Sequence, residues 1–146
     1  MHDGTRRIGD EIEQLRGRAL TLAAVYRWGT ADAVDFAHYC RDLGVDCLMV
    51  LPTERLADPP ALAAYYKAMA RVLPVMLVGY PPEALLDLLV DEPAICAFKE
   101  DGSLDYSVNA MARYGTRWTF LSGGGYWRHY TQLPFGCRAY FSYWHS

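Results

Sequence analysis

The sequence predicts an α/β fold of parallel strands, and three observations carry that reading. Short, mostly apolar runs recur along the chain, as strands do when both faces of their sheet are covered. Stretches of helical period separate the runs, and a strict alternation with tight connections means parallel strands joined by right-handed crossovers. No linker, low-complexity tract or composition shift divides the 146 residues, so one domain spanning 1–146 is expected.

Six runs read as strands: ALTLAAVYR at 19–27, DCLMVLP at 46–52, LPVMLV at 73–78, AICAFK at 94–99, WTFLS at 118–122 and CRAYFS at 137–142. After the first, Thr30 is expected to cap a helix over 31–43. Its Ala33, Val34, Phe36, Ala37, Cys40 and Leu43 fall on one stripe, and Gly44 is its stop. Asp58, with Pro59 and Pro60, opens a helix reaching about residue 72. Pro81 and Pro82 open the next, and Ser103 opens one that Gly115 ends.

At 52% hydrophobic and 21% charged residues, the composition excludes disorder and allows one core without staples. A net charge of -3 gives no basic field, so neither nucleic acid nor an anionic membrane is expected as partner. Cys40, Cys47, Cys96 and Cys137 form no C-x-x-C pair and read as buried free thiols. His2, His38, His129 and His145 are scattered, so neither a metal nor a cofactor is expected. Arg6 and Arg7 are not followed by the apolar stretch of a signal peptide, and no run approaches a membrane span, which makes the expected location cytoplasmic.

Only two lysines occur among the 14 cationic residues. Lys67 falls mid-helix, where a solvated face explains it. Lys99 ends an apolar run and precedes Glu100-Asp101-Gly102, at the strand end where α/β folds gather reacting groups. An amine desolvated there becomes a neutral nucleophile able to form a Schiff base with a ketone. The other reading is a lysine that reaches solvent and pairs with Glu100 or Asp101. Ser122-Gly123-Gly124-Gly125 follows another strand end, where glycines let backbone N–H groups approach an anion or simply make a turn. The sequence is not G-x-S-x-G, so a serine hydrolase is not indicated. The aromatic residues between Tyr126 and Trp144 suit a core or a subunit interface.

Two architectures fit the alternation. A doubly wound open sheet would be complete at this length, whereas an eight-unit barrel takes about 250 residues. Against the open sheet, no G-x-G-x-x-G or Walker loop follows any strand. If it is an open sheet, Ser122 to Gly125 makes it a phosphate or nucleotide binder.

Five segments, in order and at matching spacing, resemble the dihydrodipicolinate synthase and N-acetylneuraminate lyase family of class I, Schiff-base aldolases. They are LGVDCLMVLP at 43–52, Ala61-Leu62 with Tyr65-Tyr66-Lys67-Ala68, PVML at 74–77, FKEDGSLD at 98–105, and LSGG at 121–124. The resemblance implies a partial (β/α)8 TIM barrel of about six parallel β-α units corresponding to the third to eighth strands. It further implies an incomplete domain, lacking two strands and the G-T-T-G-E loop that binds the pyruvate carboxylate, and so a fragment of impaired activity.

Carried over position by position, the resemblance places Lys99 on the Schiff-base lysine, Gly123 on a glycine lining the pyruvate pocket, and Phe141 near a position whose carbonyl faces that pocket. Thr53-Glu54 replaces a tyrosine pair, and Thr53 is taken as substrate-binding. The proton-relay tyrosine is Val78 here, with Tyr80 two residues later able to swing in. Glu83 stands where the synthase has an arginine for a second carboxylate, so like charges would oppose that synthesis. The implied substrate is a small 2-oxo acid such as pyruvate, acted on by a lyase or a dehydratase. A barrel remnant serving as a binding or assembly module is the alternative. Unpaired edges on the first and last strands of a six-unit arc predict a homo-oligomer.

Overall fold

Six strands lie in one sheet in the order in which the chain reaches them, and every neighbouring pair is parallel. The computed structural model describes residues 3–26, 29–51 and 58–141, with side chains from Ile8 onward. The elements are α1 (Asp3–Leu15), β1 (Leu22–Val25), α2 (Thr30–Leu43), β2 (Cys47–Val50), α3 (Pro59–Ala70), β3 (Val75–Gly79), α4 (Glu83–Leu89), β4 (Ile95–Glu100), α5 (Leu104–Tyr114), β5 (Thr119–Ser122), α6 (Gly125–Gln132), a 3-10 turn (Leu133–Phe135) and β6 (Ala139–Tyr140). A doubly wound sheet reverses its strand order at a switch point. This sheet never reverses, so it is six units of a (β/α)8 barrel, and the open-sheet nucleotide binder falls with that alternative.

Local chemistry sets the helix ends. The Asp58 carboxylate accepts from the Ala61 N–H at 3.1 Å, and Pro59 and Pro60 follow it into the first turn of α3. The Ser103 hydroxyl accepts from the Tyr106 N–H at 3.2 Å to start α5. Gly44 ends α2 at φ 87, a left-handed conformation that glycine adopts without a Cβ penalty. The start of α2 differs from expectation: Gly29 holds the capping position with no side-chain bond, and Thr30 is already helical. Two helices lie outside the sequence reading, α1 and α6. The first packs by Ile12 against the core and runs close to the end of α2, where a Cβ on Gly44 would meet Arg16 and Ile12.

The main core lies between the sheet and the helices. Val25, Leu48, Val50, Val75, Leu77, Ile95, Phe98 and Phe120 face it from the strands. Phe98 sits at its centre, edge-on to Tyr106 and Trp118 and 5.4 Å from Phe120 between ring centroids. Met76 and Val78 are buried outside that cluster, on the opposite face of β3. Between β3 and β4 the register shifts: Val75 pairs with Ile95 but Met76 pairs with Ala97, which leaves Cys96 as the extra residue of a bulge. Cys40 and Cys137 are buried as expected. Cys47 is half-buried and Cys96 exposed, on the face of the sheet that the described helices leave open. Among the described residues, no helix is long and apolar enough to cross a membrane.

Candidate active site

Parallel strands all present their carboxyl ends at one edge of the sheet, and the ladder there is continuous. Val78 pairs with Lys99, Lys99 with Leu121, and Leu121 with Ala139. Beyond the strand ends the ladder continues as three backbone bonds: Asp101 N–H to Gly79 O at 2.8 Å, Gly123 N–H to Glu100 O at 3.0 Å, and Phe141 N–H to Ser122 O at 2.9 Å. These bonds bring Lys99, Asp101, Gly123 and Phe141 to one place.

Lys99, one of only two lysines in the chain, is a buried residue at 6% exposure, and its Nζ is its only charged atom. It donates to both oxygens of Asp101, at 2.8 and 3.0 Å. The two readings of Lys99 are thus each met in part, since the amine is enclosed and also paired. Its Nζ lies 5.8 Å from the centroid of the Phe141 ring. A Cβ on Gly123 would stand 2.9 Å from Nζ and overlap Asp101 Oδ1, so only glycine leaves room for the pair. Three of the four site residues read from the sequence therefore converge. Thr53 lies outside the described residues, as does Glu54.

Val78 is buried beside Lys99 and its side chain carries no exchangeable proton. Tyr80 does not replace it: the side chain is 73% exposed and turned to solvent. Tyr106 is held elsewhere, donating from its hydroxyl to Pro81 O at 2.6 Å, and burial pushes its phenol well above the ordinary value. Glu83 faces Arg113 on α5, at 2.5 Å, so its charge is answered between the helices. Lys67 sits in the last turn of α3, as a helix-surface lysine would.

Glu100 is the residue whose importance the sequence concealed. It points to the helix side, 1% exposed. There it accepts from Arg128 Nη2 at 2.7 Å, from Gln132 Nε2 at 2.6 Å and from the Ser107 hydroxyl. The signal was available as the alternation of β4, which sends adjacent residues to opposite faces. The glycine run at 123–125 begins α6, and a Cβ on Gly124 would collide with Arg128, so this turn closes on the arginine. A cleft of about 340 Å³ lined by Met111, Trp118, Phe135 and Arg138 opens elsewhere and includes none of the four converging residues.

No profile of a known protein family matches the chain. Single proteins do: it is 27% identical over 135 residues to a 4-hydroxy-tetrahydrodipicolinate synthase of Nitratidesulfovibrio vulgaris, covering 84% of this chain and 45% of that one. The chain spans about half the length of the curated relatives it matches. Among solved structures, dihydrodipicolinate synthase from Aquifex aeolicus superposes with a TM-score of 0.78 at 18% identity, over 94% of this chain and 51% of that one. The sialic acid aldolase of Ruminococcus gnavus superposes with a TM-score of 0.76 at 15% identity, over 93% and 49%. In sequence and in fold, the chain is similar to the dihydrodipicolinate synthase and N-acetylneuraminate lyase family, as its five segments had indicated.

Proposed function

We propose that the chain carries the reacting half of a lyase of the aldolase type, or a dehydratase, in which Lys99 forms a Schiff base with a small 2-oxo acid such as pyruvate. The observation that supports this most is the buried amine of Lys99 at the carboxyl end of β4, enclosed by Asp101, Gly123 and Phe141. The amine adds to the keto carbon and water leaves. The protonated imine then accepts the electron pair when a neighbouring carbon–carbon bond breaks or a hydroxyl departs. Gly123 gives the ketone room beside Nζ, and Phe141 keeps one wall of the site apolar. The chain needs no metal or organic cofactor for this chemistry.

The test is pyruvate with borohydride, followed by peptide mass mapping. Lys99 should be labelled selectively, Lys67 should not, and Lys99→Ala should abolish the label. A second reading, a non-catalytic binding module, draws support from Val78, which offers no hydroxyl beside the amine. An unlabelled Lys99 would decide for that module.

A further inference from the structure

We propose that Asp101 is the acid–base group of this site, which takes the proton that Lys99 must lose before it attacks and returns it when water departs. The inference rests on the Schiff-base reading above. An ammonium has no lone pair, so the reaction needs a group in contact with Nζ that accepts a proton and gives it back. Val78 has no such group, Tyr80 faces solvent and the Tyr106 hydroxyl is bound to Pro81. To described residues, Lys99 Nζ donates to Asp101 alone, on both carboxylate oxygens.

The placement of Asp101 suits the task. Its N–H is fixed by Gly79 O at 2.8 Å, so the residue is held by the end of the neighbouring strand. Its side chain is 31% exposed against 8% for Lys99, so the carboxylate meets water more openly than the lysine does. The bare Gly123 keeps the carboxylate and an incoming carbonyl within reach of each other.

The protons balance over the sequence. Asp101 takes one proton from the Lys99 ammonium, and the freed lone pair forms the bond to the keto carbon while the carbonyl electrons move to oxygen. The same carboxyl group passes a second proton from nitrogen to that oxygen, giving a carbinolamine. Its own proton then goes to the hydroxyl, which leaves as water as the nitrogen lone pair closes the protonated imine. Asp101 ends as a carboxylate beside the new cation.

The experiment follows Lys99 labelling over time in the full chain with pyruvate and borohydride. Asp101→Ala and the isosteric Asp101→Asn should each label about 10²-fold more slowly or worse, the span expected for a lost acid–base group. Asp101→Glu should recover part of the rate, and added acetate should speed the alanine variant without affecting the parent. Circular dichroism should match across the set. Variants that label as fast as the parent or faster would overturn the proposal, since the carboxylate would then only hold the amine charged. Slow labelling with no response to acetate and no recovery in Asp101→Glu would reduce Asp101 to a structural role and overturn it too. A parent that never labels at Lys99 would instead refute the Schiff-base reading, and the proposal with it.

Discussion

Lys99 and Glu100 are adjacent in sequence and carry opposite charges to opposite faces of β4. The ammonium faces Asp101 on the open side, while the carboxylate lies under the helices with Arg128 at 2.7 Å. One strand thereby anchors α5 and α6 with one residue and presents an amine with the next.

The Glu100 anchor should be costly to break. Among the described residues, Arg128→Ala leaves the buried carboxylate with Gln132 and Ser107 alone, and losing one partner of such a pair costs about 3 kcal/mol. Urea denaturation should show that loss, with Glu100→Gln losing less because the amide is uncharged.

Gly123→Ala should impair the site more than the fold. The added methyl would meet Lys99 Nζ at 2.9 Å and overlap Asp101, whose partly exposed side chain gives way. A displacement of reacting groups by about 1 Å costs on the order of 10²-fold in rate. Lys99 labelling by pyruvate and borohydride should fall accordingly while the melting temperature barely moves.

Cys96 should be the most reactive thiol of the chain. It is exposed, and its interaction with the neighbouring Cys47 thiol lowers its pKa from 9.0 to about 7. Cys47 is pushed up by the same neighbouring thiol and by burial. Alkylation by iodoacetamide requires the thiolate, so its rate at Cys96 should rise as pH increases through about 7. Near pH 7 it should exceed the rate at buried Cys40 and Cys137 by at least about tenfold. Cys47→Ser should move the profile back toward 9.0 if the sulfur pair sets it.

Light scattering should find assemblies larger than one chain. Within the described sheet, β1 and β6 each have one neighbour only, and Leu22 on β1 is 44% exposed. Unpaired strand edges of this kind template association. A monodisperse monomer would count against the expected homo-oligomer.

The strands were legible because each is a short apolar run, and the starts of α3 and α5 because Asp58 and Ser103 have the side chains that cap. Gly44 announced the end of α2 for the same kind of reason. α6 was hidden: its Tyr126, Trp127 and Tyr130 are all more than half exposed, so no apolar stripe marks a buried face, and three glycines before it read as a turn. In α1 the apolar residues Ile8, Ile12 and Leu15 do keep helical spacing, but the charges between them masked it. Thr30 looked like a cap because its hydroxyl suits one, yet the chain turns helical a residue sooner. Of the site, Lys99 stood out by rarity and by ending an apolar run. The identity of its partner did not, since Glu100 and Asp101 both follow and only the facing of β4 separates them.

That facing is itself decided some way below the site, by the bulge at Cys96. Ile95 and Phe98 both enter the helix-side core although three positions separate them, an odd interval that a regular strand would split between its faces. The extra residue restores the parity, and everything above it inherits the corrected phase. Were Cys96 instead paired as an ordinary ladder residue opposite Met76, Lys99 would emerge among the helices where Arg128 lies, and Glu100 would take its place on the open side. The polarity of the site is therefore a matter of counting: whether Cys96 is bulged out of the ladder or counted within it decides which of two adjacent charges reaches the open side, without altering a single functional side chain.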